Sequence, residues 1–596
     1  MRRGSHLARS RSRALPGAAG DRPAPVPRGG TGTRSGNGSG RGGGRDSRVA
    51  DVRRGSTLNL VSALVSAVAT TGITILVTRH FSKAEAGAFF TSISAFAIVG
   101  AIAGLGTNVG LTYFIARLRS LGEERKIPAL MRTAIIPVVV ASVAATALLL
   151  LLAGPLAHLE LRGHAQSAGV APANVADALR GLALMLPFAG LLNAYLGASR
   201  GYGDMRPTAV IGQIGIPVGR LLGVLLAAAA GSVALLAPLW AVSYIPAAVL
   251  SWLWGRRISR RHSHPPVALP DVPPEVAALL ALATLVPPVV DHQRARDSGS
   301  AGYRTARRQQ AKALPRGFWS FTTPRAVANI AQNILQQIDI VLVAAIKGPS
   351  EAAVYTAATR FLVIGQLGGV AISRASQARF TELFTLGDRR GANDIYQVTT
   401  GWLVLLLWPV FLLSIAYGPV VLSVFGKSYS AGDIVMVILG FSMLLSTICG
   451  QVDMVLITSG RSSWSLANGL LTVGVNVGVD LVLIPKYGIE GAAIGWAVAI
   501  AVGNLMPLGQ LAAVLGLHPF GRGVIIASAL SALSFGAIPL ALRTALGGGP
   551  VSLAAGVAVG CVVQAVGMWR FRRVMRLPAL PRRRSKKPAG RPAQGR

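Results

Sequence analysis

RAVANIAQNILQQIDIVLVAAI (325–346) is apolar and long enough, at about 1.5 Å per residue, to cross a hydrocarbon core of about 30 Å as a helix. Inside it Arg325, Asn329, Gln332, Gln336 and Asp339 recur at steps of four, three, four and three. At about 100° per residue they share an arc of roughly 80° on one helical face. Lipid cannot satisfy amides and carboxylates, so this helix predicts a bilayer span whose polar stripe faces either a watery cavity or other helices.

The rest of the chain fits that reading. Its 596 residues are 52% hydrophobic and 14% charged, with a mean hydropathy of +0.53, too little charge to cover a soluble domain of this length. The net charge of +37 resembles that of a nucleic-acid binder, but the lysines and arginines lie mainly in two tails, one long loop and short turns, so no nucleic-acid partner is expected. Cys449 and Cys561 fall inside apolar segments, which argues against a disulfide framework. His262 and His264 are the only close histidine pair, with no further ligands nearby, so no metal site or cofactor is expected. The absence of a G-x-x-x-x-G-K-[ST] loop argues against direct ATP hydrolysis.

Apolar segments of about 20 residues predict an all-α polytopic membrane protein with about 14 spans: 57–78, 87–112, 130–153, 178–198, 207–230, 233–254, 323–346, 352–378, 396–417, 433–459, 463–485, 489–515, 523–545 and 550–569. The tails and even-numbered loops hold most of the basic residues, which places both termini in the cytoplasm. EVAALLALATLVPPVV (275–290) is short and ends in a proline pair, so it reads as a surface segment. Residues 1–56 are Gly-, Pro-, Ser- and Arg-rich and lack an apolar signal core, predicting a disordered basic cytoplasmic tail. Residues 570–596 form a second basic tail, and both tails suit anionic lipid headgroups.

An internal repeat organises the spans. ILVTRHFSKAEAGAF (75–89) aligns without gaps on VLVAAIKGPSEAAVY (341–355), and PLWAV (238–242) on IGWAV (494–498). The offset is six spans, an even number, so the halves share one orientation. The expected domains are an N-lobe at 57–254, a cytoplasmic inter-lobe linker at 255–322, a C-lobe at 323–515 and accessory helices at 516–569.

LIPKYGIEGAAIGWAVA (483–499) resembles the IP-x-YG-I-x-GAA signature of bacterial polysaccharide flippases. QQIDIVLVAAIKGPSEAAVYTAATR (336–360) resembles their seventh-to-eighth-helix pattern, and LVTRHFSKAEAGAF (76–89) their first outside turn. The resemblance covers most of 57–515. It implies the O-antigen and polysaccharide branch of the multidrug/oligosaccharidyl-lipid/polysaccharide exporter superfamily, whose lipid II flippases also have fourteen spans. It further implies a lipid-linked glycan as substrate and a glycan polymerase or export machinery as partner. The long N-tail and enlarged central loop depart from the pattern.

A charge at mid-bilayer costs about 2.5–3.5 kcal/mol on insertion scales, so each one needs a reason. Arg220 and Arg360 are candidates for holding a pyrophosphate, because a guanidinium is always charged and matches phosphate oxygens. Arg325, Asn329, Gln332 and Gln336 are candidate cavity-lining residues, Arg325 at the cytoplasmic mouth. Asp339 and Asp453 are candidates for ion coupling, with an Asp339–Arg360 ion pair as the structural alternative. Arg180, Arg374 and Asp480 lie near predicted helix ends, where side chains snorkel, and receive no role. The glycine run 104–110, Pro187, Pro217, Pro409 and the Gly-rich eleventh helix are candidate kinks. The favoured function is a flippase working by alternating access. A cation-coupled drug or metabolite exporter would need acids and aromatics for a cationic cargo. A membrane glycosyltransferase or polymerase would need a large outside domain with catalytic carboxylates, and a scaffold would not need the polar stripe.

Overall fold

The structure, a computed structural model, describes residues 43–160, 171–261 and 299–575; the expected features at 1–42, at 262–298 (with His262, His264 and the 275–290 segment) and at 576–596 lie outside that set. The spans belong to one compact unit, Gly55–Arg596. Among the described residues every regular element is helical. In chain order we label α1 (Val61–His80), α2 (Lys83–Ser120), α3 (Glu124–His158), α4 (Pro172–Gly201), α5 (Thr208–Ala229), α6 (Leu236–Arg260), α7 (Pro315–Lys347), α8 (Pro349–Thr385), α9 (Arg389–Ala416), α10 (Lys427–Thr458), α11 (Ser462–Tyr487), α12 (Ile489–Leu515), α13 (Arg522–Leu546) and α14 (Pro550–Phe571).

Among the described residues, thirteen of these are long and apolar enough to cross a membrane. In α8, Ala352 through Ala358 are all buried, so this part of the helix is sheathed by protein. Helical structure reaches into the expected linker at 255–322 from both sides. The helix of α6 runs on to Arg261, and the helix leading into α7 begins at Gly299. Arg, Lys, Gln and Ala are good helix formers and extend both spans beyond their apolar lengths.

Neighbour relations repeat with the expected shift of six. In the first half α4 packs against α2, α3 and α6, and α5 against α6; in the second, α10 packs against α8, α9 and α12, and α11 against α12. The α7–α11 contact has its counterpart between α1 and α5, where Ser62 Oγ donates to Gln213 Oε1 at 2.5 Å. Both α4 and α10 are broken mid-span, at Leu184–Met185 and at Gly450. The accessory pair α13–α14 is tied to α9. Gln564 Nε2 donates to the Leu405 carbonyl at 2.7 Å, and the buried Tyr417 hydroxyl lies 3.0 Å from the carbonyls of Pro539 and Ser552.

The halves meet where α2 lies against α7 and α8. Small residues make this approach possible, as in other membrane bundles. A Cβ added at Gly110 would lie 2.3 Å from Thr322 Oγ1 and 2.8 Å from the Phe318 ring. At the end of the first turn, Arg79 Nε and Nη2 donate to the carbonyls of Val424 and Ser423 at 2.9 and 3.0 Å. The expected kinks form selectively. The α2 helix breaks at Leu105 and Gly106, which have φ of 50° and 62°. Pro187 follows the α4 break, and Pro217 follows a π-helical stretch over Thr208–Gly215. A proline has no N–H for the i−4 carbonyl, and the wider π turn absorbs that mismatch. Pro409 and the glycines of α11 sit in uninterrupted helices.

Candidate functional site

The membrane inverts the usual burial pattern, and α11 shows it plainly. Its buried positions are Asn468, Thr472, Asn476, Asp480 and Ile484, spaced by four. Leu470, Leu471, Leu481 and Val482 are exposed on the other faces. In hydrocarbon the apolar side chains lose nothing by facing lipid, whereas the polar ones must find partners inside the protein. Toward one end, Asn468 and Gln510 of α12 exchange amide hydrogen bonds at 2.8 and 3.0 Å. At the other end, the stripe delivers Asp480 to Asp339.

Asp339 of α7 is 4% exposed and Asp480 is fully buried. The Tyr355 hydroxyl of α8 donates to Asp339 Oδ2 at 2.7 Å, and Asn476 Nδ2 donates to Asp480 Oδ2 at 3.3 Å. The two carboxyl groups lie within hydrogen-bonding reach of each other. Asp339 Oδ1, Asp480 Oδ1 and Asn476 Oδ1 accept no hydrogen bond among the described residues. Gly495 of α12 closes the site, since a Cβ there would lie 1.9 Å from Asp480 Oδ1. Two adjacent carboxyls in a dry site cannot both be charged without a compensating proton or cation. The arrangement offers converging oxygen acceptors, the chemistry of a hard monovalent cation or of a shared proton. No group of three or more His, Cys, Asp or Glu that could hold a metal ion occurs among the described residues.

Sequence reasoning gave Asp480 no role, placing it near a helix end; the structure corrects that, because α11 extends to Tyr487 and neighbours cover the site. The signal was available as Asn-x-x-x-Thr-x-x-x-Asn-x-x-x-Asp at 468–480. Asp339 and Arg360 form no ion pair, and neither joins the four ion pairs among the described residues. The reason is angular: Tyr355 faces α7, while Arg360, five residues on, projects about 140° around the helix. Arg360 is half-buried with its Nε unpartnered.

The repeat places α5 where α11 stands, and here the sign of charge reverses. Arg220 of α5 lies with its Cζ 3.9 Å from the Trp240 ring centroid and 5.0 Å from that of Tyr244, and it donates to the Tyr244 hydroxyl. Trp240 is braced edge-on by Phe89 and Phe96. Arg220 has no carboxylate partner among the described residues, and its buried Nε is unpartnered. An aromatic cage of this kind compensates a buried cation without neutralising it, by about 2 kcal/mol or more when desolvated.

Of the opening stripe, Arg325, Asn329, Gln332 and Gln336 are exposed while Asp339 is buried. Arg325 is held over the Phe321 ring at 3.6 Å and donates to the Phe321 carbonyl at 2.9 Å. The adjoining stripe of α7, Phe318, Thr322 and Ala326, is the one packed on α2. Asp453 is exposed and accepts a hydrogen bond from Ser465, so it joins neither charged site. Arg180 pairs with Asp177 at 2.8 Å on the surface.

The MatE family model matches residues 324–482, from α7 into α11. No curated protein matches the chain. Among solved structures, the lipid II flippase MurJ in an inward closed conformation matches with a TM-score of 0.64 at 12% identity, over 86% of this chain and 99% of that one. An inward-facing multidrug resistance MATE family transporter of the MOP superfamily matches with a TM-score of 0.54 at 14% identity, over 77% and 99%. A MOP superfamily transporter from Pyrococcus furiosus, described as having a binding pocket of reversed polarity, matches with a TM-score of 0.50 at 14% identity, over 78% and 96%. The chain thus has the fold found in these transporters.

Proposed function

We propose that this chain is a membrane transporter of the MOP superfamily and, within it, a flippase. Its cargo would be a polyprenyl-pyrophosphate-linked oligosaccharide, carried across the bacterial plasma membrane for cell-surface or exopolysaccharide synthesis. The observation that carries this reading is Arg220: a guanidinium inside a span, caged by Trp240 and Tyr244, with a buried N–H and, among the described residues, no carboxylate to neutralise it. Such a group attracts an anion, and the rigid fork of arginine matches phosphate oxygens. Arg360, which joins no ion pair among the described residues, is a second phosphate contact, and Arg325, Asn329, Gln332 and Gln336 offer hydrogen bonds along the path of the glycan.

In the proposed cycle the headgroup enters between the halves while the polyprenyl tail stays in lipid. The halves then rock about the α2–α7–α8 contact, by alternating access. Asp339 and Asp480 bind the coupling proton or cation. Cation coupling also suits an exporter of cationic drugs, and the carboxyl pair is the observation favouring that second reading.

Complementation of a glycan-deficient strain separates the two. Arg220→Ala is expected to abolish rescue with protein level intact, and Arg220→Lys, which keeps the charge but loses the fork, to restore it only in part. Full rescue by Arg220→Ala would remove the reason for an anionic cargo.

A further inference from the structure

The short connection between α4 and α5 and the last turns of α6 enclose a cavity of about 400 Å³, lined by Asp204, Arg206, Leu250, Leu253, Trp254, Arg257 and Ile258. Its size lies within the range of small-molecule sites. Asp204 builds one wall. Its Oδ1 accepts the Arg206 backbone N–H at 3.0 Å, and its Oδ2 accepts the Trp254 indole N–H at 3.1 Å. The carboxylate is therefore committed to holding the connection against α6.

The cationic groups are not committed. Neither Arg206 nor Arg257 joins an ion pair among the described residues, and both are exposed. Their neighbour Arg256 differs: its guanidinium stacks 3.9 Å from the Trp252 ring centroid, outside the cavity lining. The cavity is also graded in polarity. Leu250, Leu253, Trp254 and Arg257 are spaced i, i+3, i+4 and i+7 on one face of α6, running about 10 Å along the helix from bilayer to surface. Leu250 and Leu253 are 52% and 48% exposed, as side chains in contact with acyl chains would be. The indole of Trp254 sits between the two zones, where amphipathic rings belong.

We propose that this cavity binds the headgroup of an anionic glycerophospholipid from the leaflet facing the basic loops. Arg206 and Arg257 hold the phosphate, and an acyl chain runs along Leu253 and Leu250. Bound lipid bridges the α4–α5 connection to α6, next to the helix that carries Arg220. This site is separate from the transported cargo and from the basic tails.

Native mass spectrometry of the full chain, delipidated in detergent and then given phosphatidylglycerol or phosphatidylcholine at equal mole fraction, tests the assignment. Phosphatidylglycerol should be retained in preference to phosphatidylcholine. The Arg206→Gln/Arg257→Gln double variant should lose at least tenfold of that retention, while Arg256→Gln should keep it. Millimolar inorganic phosphate should leave the bound lipid in place, and Leu253→Ala should weaken lipid retention. A melting temperature unchanged in phosphatidylcholine certifies that the variants fold. Equal retention of the two lipids, wild-type retention by the double variant, or an equal loss in Arg256→Gln would overturn the proposal; the last would mean a diffuse basic surface. Displacement by inorganic phosphate would assign the cavity to the free ion.

Discussion

Replacing Asp480 by asparagine tests the carboxyl pair directly. The side chain is fully buried, its partner Asp339 is 4% exposed, and both present an oxygen without a protein donor. A monovalent cation about 4 Å from a second carboxylate, at an effective dielectric of about 20, gains roughly 4 kcal/mol from that charge. Removing it should weaken cation affinity by about a thousandfold. At a concentration 100-fold above the wild-type dissociation constant, a cation stabilises the fold by about 2.7 kcal/mol. With an unfolding entropy of about 2.1 cal/mol/K per residue, that corresponds to a rise in Tm of about 2 °C for a chain of this length. The assay is a thermal melt in detergent while sodium, lithium or potassium is exchanged for choline at constant ionic strength. Wild type should gain the increment and Asp480→Asn should not. Asp339→Asn/Asp480→Asn, which removes both charges, should melt at or above the cation-free wild type. A response to pH alone, without a salt effect, would identify a proton as the occupant. An increment that survives in Asp480→Asn, or a wild type indifferent to both salt and pH, would refute the reasoning.

Gly110→Val should destabilise by about 1–3 kcal/mol or spread the α2–α7 contact, because the new Cβ falls 2.3 Å from Thr322 Oγ1; a melt combined with cysteine cross-linking across that contact measures either result. A double-mutant cycle on Asn468→Leu and Gln510→Leu should give a coupling of about 0.6–1.7 kcal/mol, the range of interhelical hydrogen bonds in membranes, when followed by unfolding in mixed micelles. Asp453→Ala, at an exposed position bonded to Ser465, should leave both the cation-dependent melt and complementation near wild type.

Hydropathy made the spans legible, since about 20 apolar residues in succession leave few alternatives in lipid. The repeat was legible for a similar reason: the turns at 81–86 and 347–351 keep the same local chemistry in both halves. Facing was harder to read. The polar stripe of α7, in steps of four and three, pointed to Asp339, yet the step-of-four stripe of α11 went unused because a helix-end position seemed sufficient to account for Asp480. Helix ends inferred from apolarity stop short of the true ones, and two residues decide whether a carboxyl is wet or buried. Arg220 could be suspected from depth alone, but its cage comes from Trp240 and Tyr244 on another span, and no local pattern links them. The length of α8 was readable only roughly: the apolar run at 352–378 marks its middle, and the helix continues on both sides to Pro349 and Thr385.

The two halves carry ionisable groups of opposite sign on corresponding helices, a guanidinium on α5 and a carboxyl pair that α11 shares with α7. One elementary charge driven across the full membrane field is worth about 2.3 kcal/mol per 100 mV. In the proposed transport cycle, a half bearing the guanidinium and a half whose carboxyl pair keeps one negative charge swing together, and their electrical work largely cancels. The voltage dependence of turnover would then report the valence of whatever rides with them, so an electrophysiological trace would weigh the proposed cargo and its companion ion and leave the protein silent.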